Sequence, residues 1–352
     1  MLRLDRVRAM IRRSAAALML LAAAACSGDH RTPLIVYSPH DKDLLTYFQQ
    51  AFEAAHPDVD VQWVDMGSQD ILDRLRSEKA NPQADVWFGA PAETFNRGAA
   101  EGLIDGYRPS WAAAVPPEAH DPSDRWYGTY MTPEVIAYNT DIVSAAQAPQ
   151  DWDDVLAPRW KGTIIIRDPV ASGSMRAIWA AILSRSIAHT GSTAQGWAWL
   201  RRLDASTKEY VINPTMLYLK LGQREGSISL WDMPDIATLQ QQKKYPLAYV
   251  IPASGTPLLV DAIAIVHGAK HAAAAKAFYE FVTTPRALED AAVKFLRIPV
   301  RTDLPADSLP AWIRDARAKI RPMPLDPKLI ADSLDAWMKY WDANVRNCCR
   351  GQ

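Results

Sequence analysis

"LIVYSPHDKDLLTYFQQAFEAAHPDVDVQWV", residues 34–64, holds the alternation that decides the fold. Leu34 to Tyr37 is a short unbroken apolar run, as expected of a strand buried on both faces. Leu44, Leu45, Phe48 and Phe52 then recur at helical spacing, and Pro57 closes that segment. "VDVQWV" reads as a second strand. The pattern continues outward: "GSQDILDRLRSEKA" is a helix with Ser68 as its expected cap, and "ADVWF" (84–88) is a third strand followed by "GAPAETFNRGAAEGL". Strand, helix, strand, helix, strand implies a parallel sheet with right-handed crossovers. Such sheets bind ligands at the carboxyl ends of their strands, which puts "YSPHD" and "FGAP" on one rim.

Further along, "RWYGTYMTPEVIAYNT" (125–140) reads as extended chain, and a second α/β unit follows. Its pieces are the strand "GTIIIRDP", the turn and helix "DPVASGSMRAIWAAI" (168–182), the strand "GSISLW" and the helix "MPDIATLQQQKK". A second long extended stretch, "SGTPLLVDAIAIV", leads to the packing helix "KHAAAAKAFYEFV", and a Pro-rich tail ends in a helix carrying Leu334, Trp337, Met338 and Trp341. Two extended passages bracketing a middle α/β unit predict two lobes joined by strands that cross between them. The expected boundaries are 33–136 with 259–300 for lobe 1, 137–258 for lobe 2, and 301–352 for a helical tail packing on the lobes.

Bulk properties narrow the function. A chain of 352 residues with 49% hydrophobic and 22% charged content suits two globular domains. A formal net charge of -1 gives no reason to expect nucleic acid as a partner, so any anion chemistry must be local. Residues 1–26 read as an export signal: five arginines, an apolar run from Ala15 to Ala25 that falls short of the about 20 residues a span needs, and then Cys26. "LAAAAC" resembles the lipobox of bacterial lipoproteins, with Ala23 where leucine is more usual, and makes Cys26 the expected site of acylation. An ordinary secretory signal is the alternative, and both readings export the protein. An acyl chain would hold a soluble body at a membrane surface. Adjacent Cys348 and Cys349 form no disulfide framework and are read as a tail feature.

The order of pieces resembles a periplasmic solute-binding protein of an ABC importer, specifically the group of ferric-ion, sugar-phosphate and 2-aminoethylphosphonate binding proteins. "ADVWFGAP", "YNTDIV", "APQDWDDVLAPRWKGTIII" and "SGTPLLVDAIAIVHGAKHAAAAKAFYEFVTTPRA" carry the resemblance across nearly the whole chain after the leader. It implies a two-lobed α/β fold of the type II periplasmic-binding class, an interlobe cleft, an ABC permease as partner, a monomer, no cofactor and no enzymatic activity. Ferric-binding members place adjacent tyrosines after the strand matching "GSISLW" and a glutamate in the turn after the third strand. This chain has Asp232-Met233-Pro234-Asp235 and Gly89-Ala90-Pro91 there, which lack the phenolate and carboxylate oxygens that ferric iron wants. The counterpart of Ser172-Gly173-Ser174 holds a phosphate-like anion in that group. Free N–H groups at a helix start, the helix dipole and a close-approaching glycine favour the same role, although Ser-Gly-Ser taken alone is an ordinary N-cap.

The expected ligand is therefore a small organic anion, phosphorylated or phosphonate. Ser38, His40, Gly89 and Ala90 are its candidate contacts on lobe 1; Ser172, Gly173, Ser174, Asn213, Trp231, Asp232 and Ser254 are those on lobe 2. Helix initiation for Ser38, a solvated loop for His40, packing for Trp231, capping for Asn213 and a type II turn around Ser254 are the competing structural roles. Asp232 can accept hydrogen bonds from sugar hydroxyls or an ammonium, Asp235 reads as a first-turn helix acid, and Arg176 as a solvated helix residue. His267 and His271 have zinc-like spacing, but Gly268 between them argues against a metal site. Two alternatives stay open: a cationic solute or ferric chelate met by Asp232 and Asp261, and an exported phosphoesterase, for which no nucleophile elbow, zinc-protease signature or phosphate loop is found.

Overall fold

A computed structural model describes residues 31–305 and 307–346. Cys26, Cys348, Cys349 and the leader lie outside the described residues. The chain runs through β1 (Thr32–Ser38), α1 (Lys42–Ala55), β2 (Val59–Asp65), α2 (Ser68–Ser77), β3 (Val86–Pro91), α3 (Ala92–Ala100), β4 (Ile104–Asp105) and β5 (Tyr127–Asn139). β1 pairs in parallel with β2 and β3, as the strand–helix alternation predicts. Leu44, Leu45, Phe48 and Phe52 are the buried face of α1, whose N-cap is the Asp41 carboxylate accepting from the N–H groups of Asp43 and Leu44. Ser68 is not a cap: Gly67 occupies that position with no side-chain hydrogen bond, and Ser68 is the buried first residue of α2.

The second unit contains β6 (Ile164–Arg167), α4 (Gly173–Thr190), α5 (Ala194–Ser206), β7 (Thr207–Val211), α6 (Pro214–Gly222), β8 (Ile228–Asp232), α7 (Met233–Gln241) and β9 (Leu247–Val250). β6 pairs in parallel with β7 and β8. The chain returns through β10 (Leu258–Val266), α8 (Ala272–Phe281), α9 (Pro285–Lys294), β11 (Ile298–Pro299), α10 (Ala311–Lys319) and α11 (Pro327–Asn344). Strand order is β2-β1-β3-β10-β5-β8-β6-β7. β5 joins the two halves. Its first part pairs antiparallel with β10, and its last residues, Glu134 to Asn139, pair with β8 and β9. Two lobes thus share one long strand.

Each lobe has its own core. Phe48, Phe52, Phe88 and Phe278 centre the first, while Trp152, Trp179, Leu200 and Leu230 centre the second. Ile330, Leu334, Met338, Trp341 and Val345 on and after α11 belong to the second core, so the last helix is part of that lobe. A smaller cluster formed by Val135, Met233, Ala292, Ile298, Ile313 and Ala316 packs α10 at the junction. No helix among the described residues is long and apolar enough to cross a membrane.

Candidate functional site

The carboxyl ends of β1, β3, β6, β7 and β8 face one another across the interlobe cleft, so the loops that follow them supply its walls. An outer cavity of about 760 Å³ lies between Pro39–Asp43, Asp65–Gly67, Arg167 and the Ile212–Met216 turn. It leads to an inner recess of about 70 Å³ lined by His40, Ala90, Ser172, Gly173, Ser174, Trp231, Asp232, Asp261 and Arg297, among others. His40, Asp41, Arg167, Pro214 and Asp235 border both spaces.

On lobe 1, Ser38 is fully buried and lines neither space; its Oγ accepts the N–H of His40 at 3.2 Å and so shapes the turn. The His40 ring lies edge-on to Phe88, with centroids 4.9 Å apart, and its buried Nε2 makes no hydrogen bond. Burial, assisted by the nearby Arg297, drives its pKa well below the usual histidine value, which keeps the ring neutral. Gly89 is needed beside it. A Cβ there would sit 2.6 Å from His40 Nε2, and its φ of +92° is one that only glycine adopts freely. Ala90 follows at φ +96°, a strained backbone for a residue with a side chain, and lines the recess.

On lobe 2, Ser172 is the N-cap of α4, and its Oγ accepts from the N–H of Met175 at 3.3 Å. Among the described residues the N–H groups of Gly173 and Ser174 have no acceptor. Gly173 touches lobe 1: a Cβ there would lie 2.8 Å from Pro91 Cδ and 3.2 Å from Ser68 Oγ. Asn213 caps α6 by accepting from Met216, and it borders the outer cavity. Trp231 sits in the recess wall, its Nε1 donating to Tyr218 Oη at 3.2 Å. Ser254 is not brought to the cleft; its hydroxyl donates to Asp151 at 2.6 Å on an exposed turn.

The recess floor is rich in carboxyl groups. Asp232 caps α7 by accepting from the N–H of Asp235, and Asp261 accepts from Thr132 Oγ1 at 2.6 Å. Burial pushes both pKa values up, most for Asp232, where Asp235 adds to the effect. Glu134 pairs opposite Asp232 in the β5–β8 ladder, and its carboxylate is fully buried, with the Ser174 hydroxyl as the one group favouring its charged form. Its pKa is raised well above the ordinary value, first by burial and then by Asp232 and Asp261. Asp235, expected as a helix-start acid only, also accepts from Tyr218 Oη at 2.5 Å and pairs with Arg297 at 3.0 Å.

Two arginines join the site without being sequence candidates. Arg297, 4% exposed, pairs with Asp41 at 3.2 Å and with Asp235. Burial opposes its charge, but Asp235, Asp41, Asp232 and Asp261 outweigh that and raise its pKa. Arg167 is the last residue of β6, where the strand-end charge in "IIIRDP" is a usable signal. Its Nε donates to the Ile212 carbonyl at 3.2 Å, it lies 5.9 Å from the Trp231 ring, and among the described residues it forms no ion pair. Burial lowers its pKa, although it remains a cation at any neutral pH. Arg176, expected in solvent, is buried and bonds Asp335 at 2.6 Å. His267 and His271 pair separately, with Asp105 and Asp85, and among the described residues no group of three or more His, Cys, Asp or Glu could hold a metal.

Comparison with known proteins agrees with this architecture. A probable ABC transporter periplasmic-binding protein of Sinorhizobium fredii is 28% identical over 303 residues, covering 83% of this chain and 80% of the relative. The structure of AfuA from Actinobacillus pleuropneumoniae, with exogenous fructose-6-phosphate bound, superposes with a TM-score of 0.79 at 22% identity, over 90% of this chain and 99% of that one. A ferric binding protein from Campylobacter jejuni gives 0.73 at 18% identity, over 88% and 98%, and at these identities both structures establish the shared two-lobed fold alone. The family model for bacterial extracellular solute-binding proteins matches residues 48–319, and the chain belongs to that family as a periplasmic solute-binding protein of an ABC transporter.

Proposed function

We propose that the cleft binds a small organic anion carrying a phosphate or phosphonate group, and that the loaded protein presents it to an ABC permease from a membrane-tethered position. The observation that carries this reading is Arg167, a desolvated guanidinium without an ion-pair partner among the described residues, at the wall shared by the recess and the outer cavity. A cation taken out of water without a counter-charge costs stability unless something else supplies the charge. A planar five-donor guanidinium suits a phosphate oxygen pair. The free N–H groups of Gly173 and Ser174, at the positive end of an 18-residue helix, lie on the same recess and add donors. The sugar-phosphate-loaded relative of the same fold is consistent with such a ligand. Acylation of Cys26 would supply the tether, as the lipobox-like "LAAAAC" suggests.

A second reading has its own observation. Asp232 and Asp261 line the recess, and the fully buried Glu134 lies directly behind Asp232 in the β5–β8 ladder, an acidic grouping that favours a cationic solute. Native mass spectrometry of protein purified from its own host separates the two. We expect a released, chemically unaltered phosphorus-containing anion; a phosphorus-free cation in stoichiometric amount would replace the first reading with the second. Turnover of a model phosphate ester would instead point to an enzyme.

A further inference from the structure

The last helix plays no part in the cleft lining, yet it touches both lobes. Leu334, Met338 and Trp341 anchor α11 in the core of lobe 2, where the Trp341 ring meets Trp179 edge-on at 5.9 Å. Between them, Asp335 faces two arginines. Its Oδ1 lies 2.6 Å from Nη2 of Arg176 on α4, in the same lobe. Its Oδ2 lies 2.8 Å from Nη2 of Arg97 on α3, in the other lobe. Those arginine side chains are only 7% and 16% exposed, while the Asp335 side chain that joins them is 53% exposed, so solvent screens the carboxylate and each bridge has the modest energy of a partly exposed pair. Glu93, in the first turn of α3, completes the group; burial pushes its pKa up despite Arg176 and Arg97 nearby.

The position of this cluster gives it leverage. α3 starts directly after the Gly89–Pro91 turn, and α4 starts at Gly173, which is packed on Pro91. The two helices therefore leave the cleft floor from touching points, and opening the lobes about the shared strand β5 moves them apart. Arg176 and Asp335 travel together because both belong to lobe 2. Arg97 and Asp335 do not.

We infer that α11 is an interlobe latch, with Asp335 tying Arg97 of lobe 1 to lobe 2 and biasing the molecule toward its closed form. Asp335 is a positioning residue: it touches no solute, but a latch formed only in the closed form makes closure more favourable and so tightens solute retention. The inference rests on movable lobes and is independent of the solute's chemistry. Other ion pairs also cross between the lobes: Arg297 with Asp235 at 3.0 Å in the inner recess, and Lys243 with Asp43 at 2.6 Å at the mouth, the latter 45% and 59% exposed and expected to contribute less.

Small-angle scattering of the solute-free protein, parent against Arg97→Gln, reads the open-to-closed ratio directly. The expected result is a shift of roughly two- to fivefold toward open forms, the scale of one partly shielded ion pair, with the unfolding midpoint nearly unchanged. Lys243→Gln should shift the ratio less. Asp335→Asn should reproduce the opening and Asp335→Glu, which keeps the charge, should retain the parent profile; this pair decides the matter if Arg97→Gln fails to fold. Superimposable profiles for a folded Arg97→Gln and the parent, or for Asp335→Asn and Asp335→Glu, overturn the latch. Loss of the anion reading alone would leave these profiles unaffected.

Discussion

Arg297 and Arg167 reach the same inner recess from opposite lobes, and their surroundings differ in one respect: the first has carboxylates within 3.2 Å, the second has none within ion-pair range among the described residues. Both are nearly buried, at 4% and 9% exposure. On the proposed reading, the same side chain at the same depth is put to two uses. Around Arg297 the charge is balanced inside the protein, which makes that pole part of the fold. At Arg167 the carboxylates of Asp70, Asp168 and Asp235 act only at longer range and none forms a direct pair among the described residues, which leaves the guanidinium's donors open to an incoming anion.

The widest separation should come from removing each arginine in turn. Arg297→Met removes the buried cation between two half-buried carboxylates, Asp41 at 29% and Asp235 at 17% exposure, and breaking a buried pair from one side costs up to about 3–5 kcal/mol. Denaturant unfolding should show that loss in full; a change under about 1 kcal/mol would mean the pole is not structural. Arg167→Gln breaks no ion pair among the described residues. Its stability should stay within about 1 kcal/mol of the parent, while affinity for a phosphorylated solute falls by about 1.5–3 kcal/mol, roughly ten- to a hundredfold. Calorimetry on both variants checks the crossing. If Arg167→Gln unfolds as easily as Arg297→Met and binds as the parent does, the two poles are alike and the contrast is broken.

Gly173 stands where the two lobes touch, packed on Pro91 and Ser68. A methyl group there would lie 2.8–2.9 Å from the Pro91 ring, on the opposite lobe. Gly173→Ala should therefore wedge the lobes rather than damage either core, weakening binding by about 1–2 kcal/mol at nearly constant unfolding midpoint. Gly173→Asp adds a negative charge at the same point and should abolish solute-induced stabilisation. Unchanged affinity in both would remove the α4 start from the site.

Much of this is legible in the sequence, for a physical reason. Apolar runs and helical spacing report burial locally, and the strand-end rule then places the turns after β1, β3, β6 and β8 on one cleft without any motif. That rule puts His40, Ala90, Ser172, Gly173, Ser174, Trp231 and Asp232 around one recess. It applies equally to Arg167, which a search for anion-binding turns passes over because the residue sits inside the strand. Arg297 is beyond its reach, since its partners Asp41 and Asp235 lie 256 and 62 residues away. Arg176 reads as solvated for a similar reason: α11, 159 residues later, supplies its carboxylate. α4 gives no warning, being buried on nearly every side with no polar stripe to orient it. Ser254 reads equally well as turn or contact from sequence, and only its hydrogen bond to Asp151 gives it the turn.

The smallest expected effect concerns Glu134, the carboxyl group that belongs to neither pole completely. It is fully buried opposite Asp232, and burial followed by Asp232 and Asp261 outweighs the Ser174 hydroxyl and raises its pKa well above the ordinary carboxylate value. A raised folded-state pKa means the native protein binds the proton more tightly than the unfolded chain does. Its stabilising contribution is present in acid and is lost as pH rises from the unfolded value through the folded one. Glu134→Gln keeps the shape and removes the titration, so its stability should fall less than the parent's between about pH 5 and about pH 8. Thermal unfolding at both pH values reads it. Parallel pH dependence in the two proteins would mean that Glu134 titrates as it does in water; a gap that closes when a cationic solute is added would instead show that the acidic floor is a second recognition surface facing Arg167.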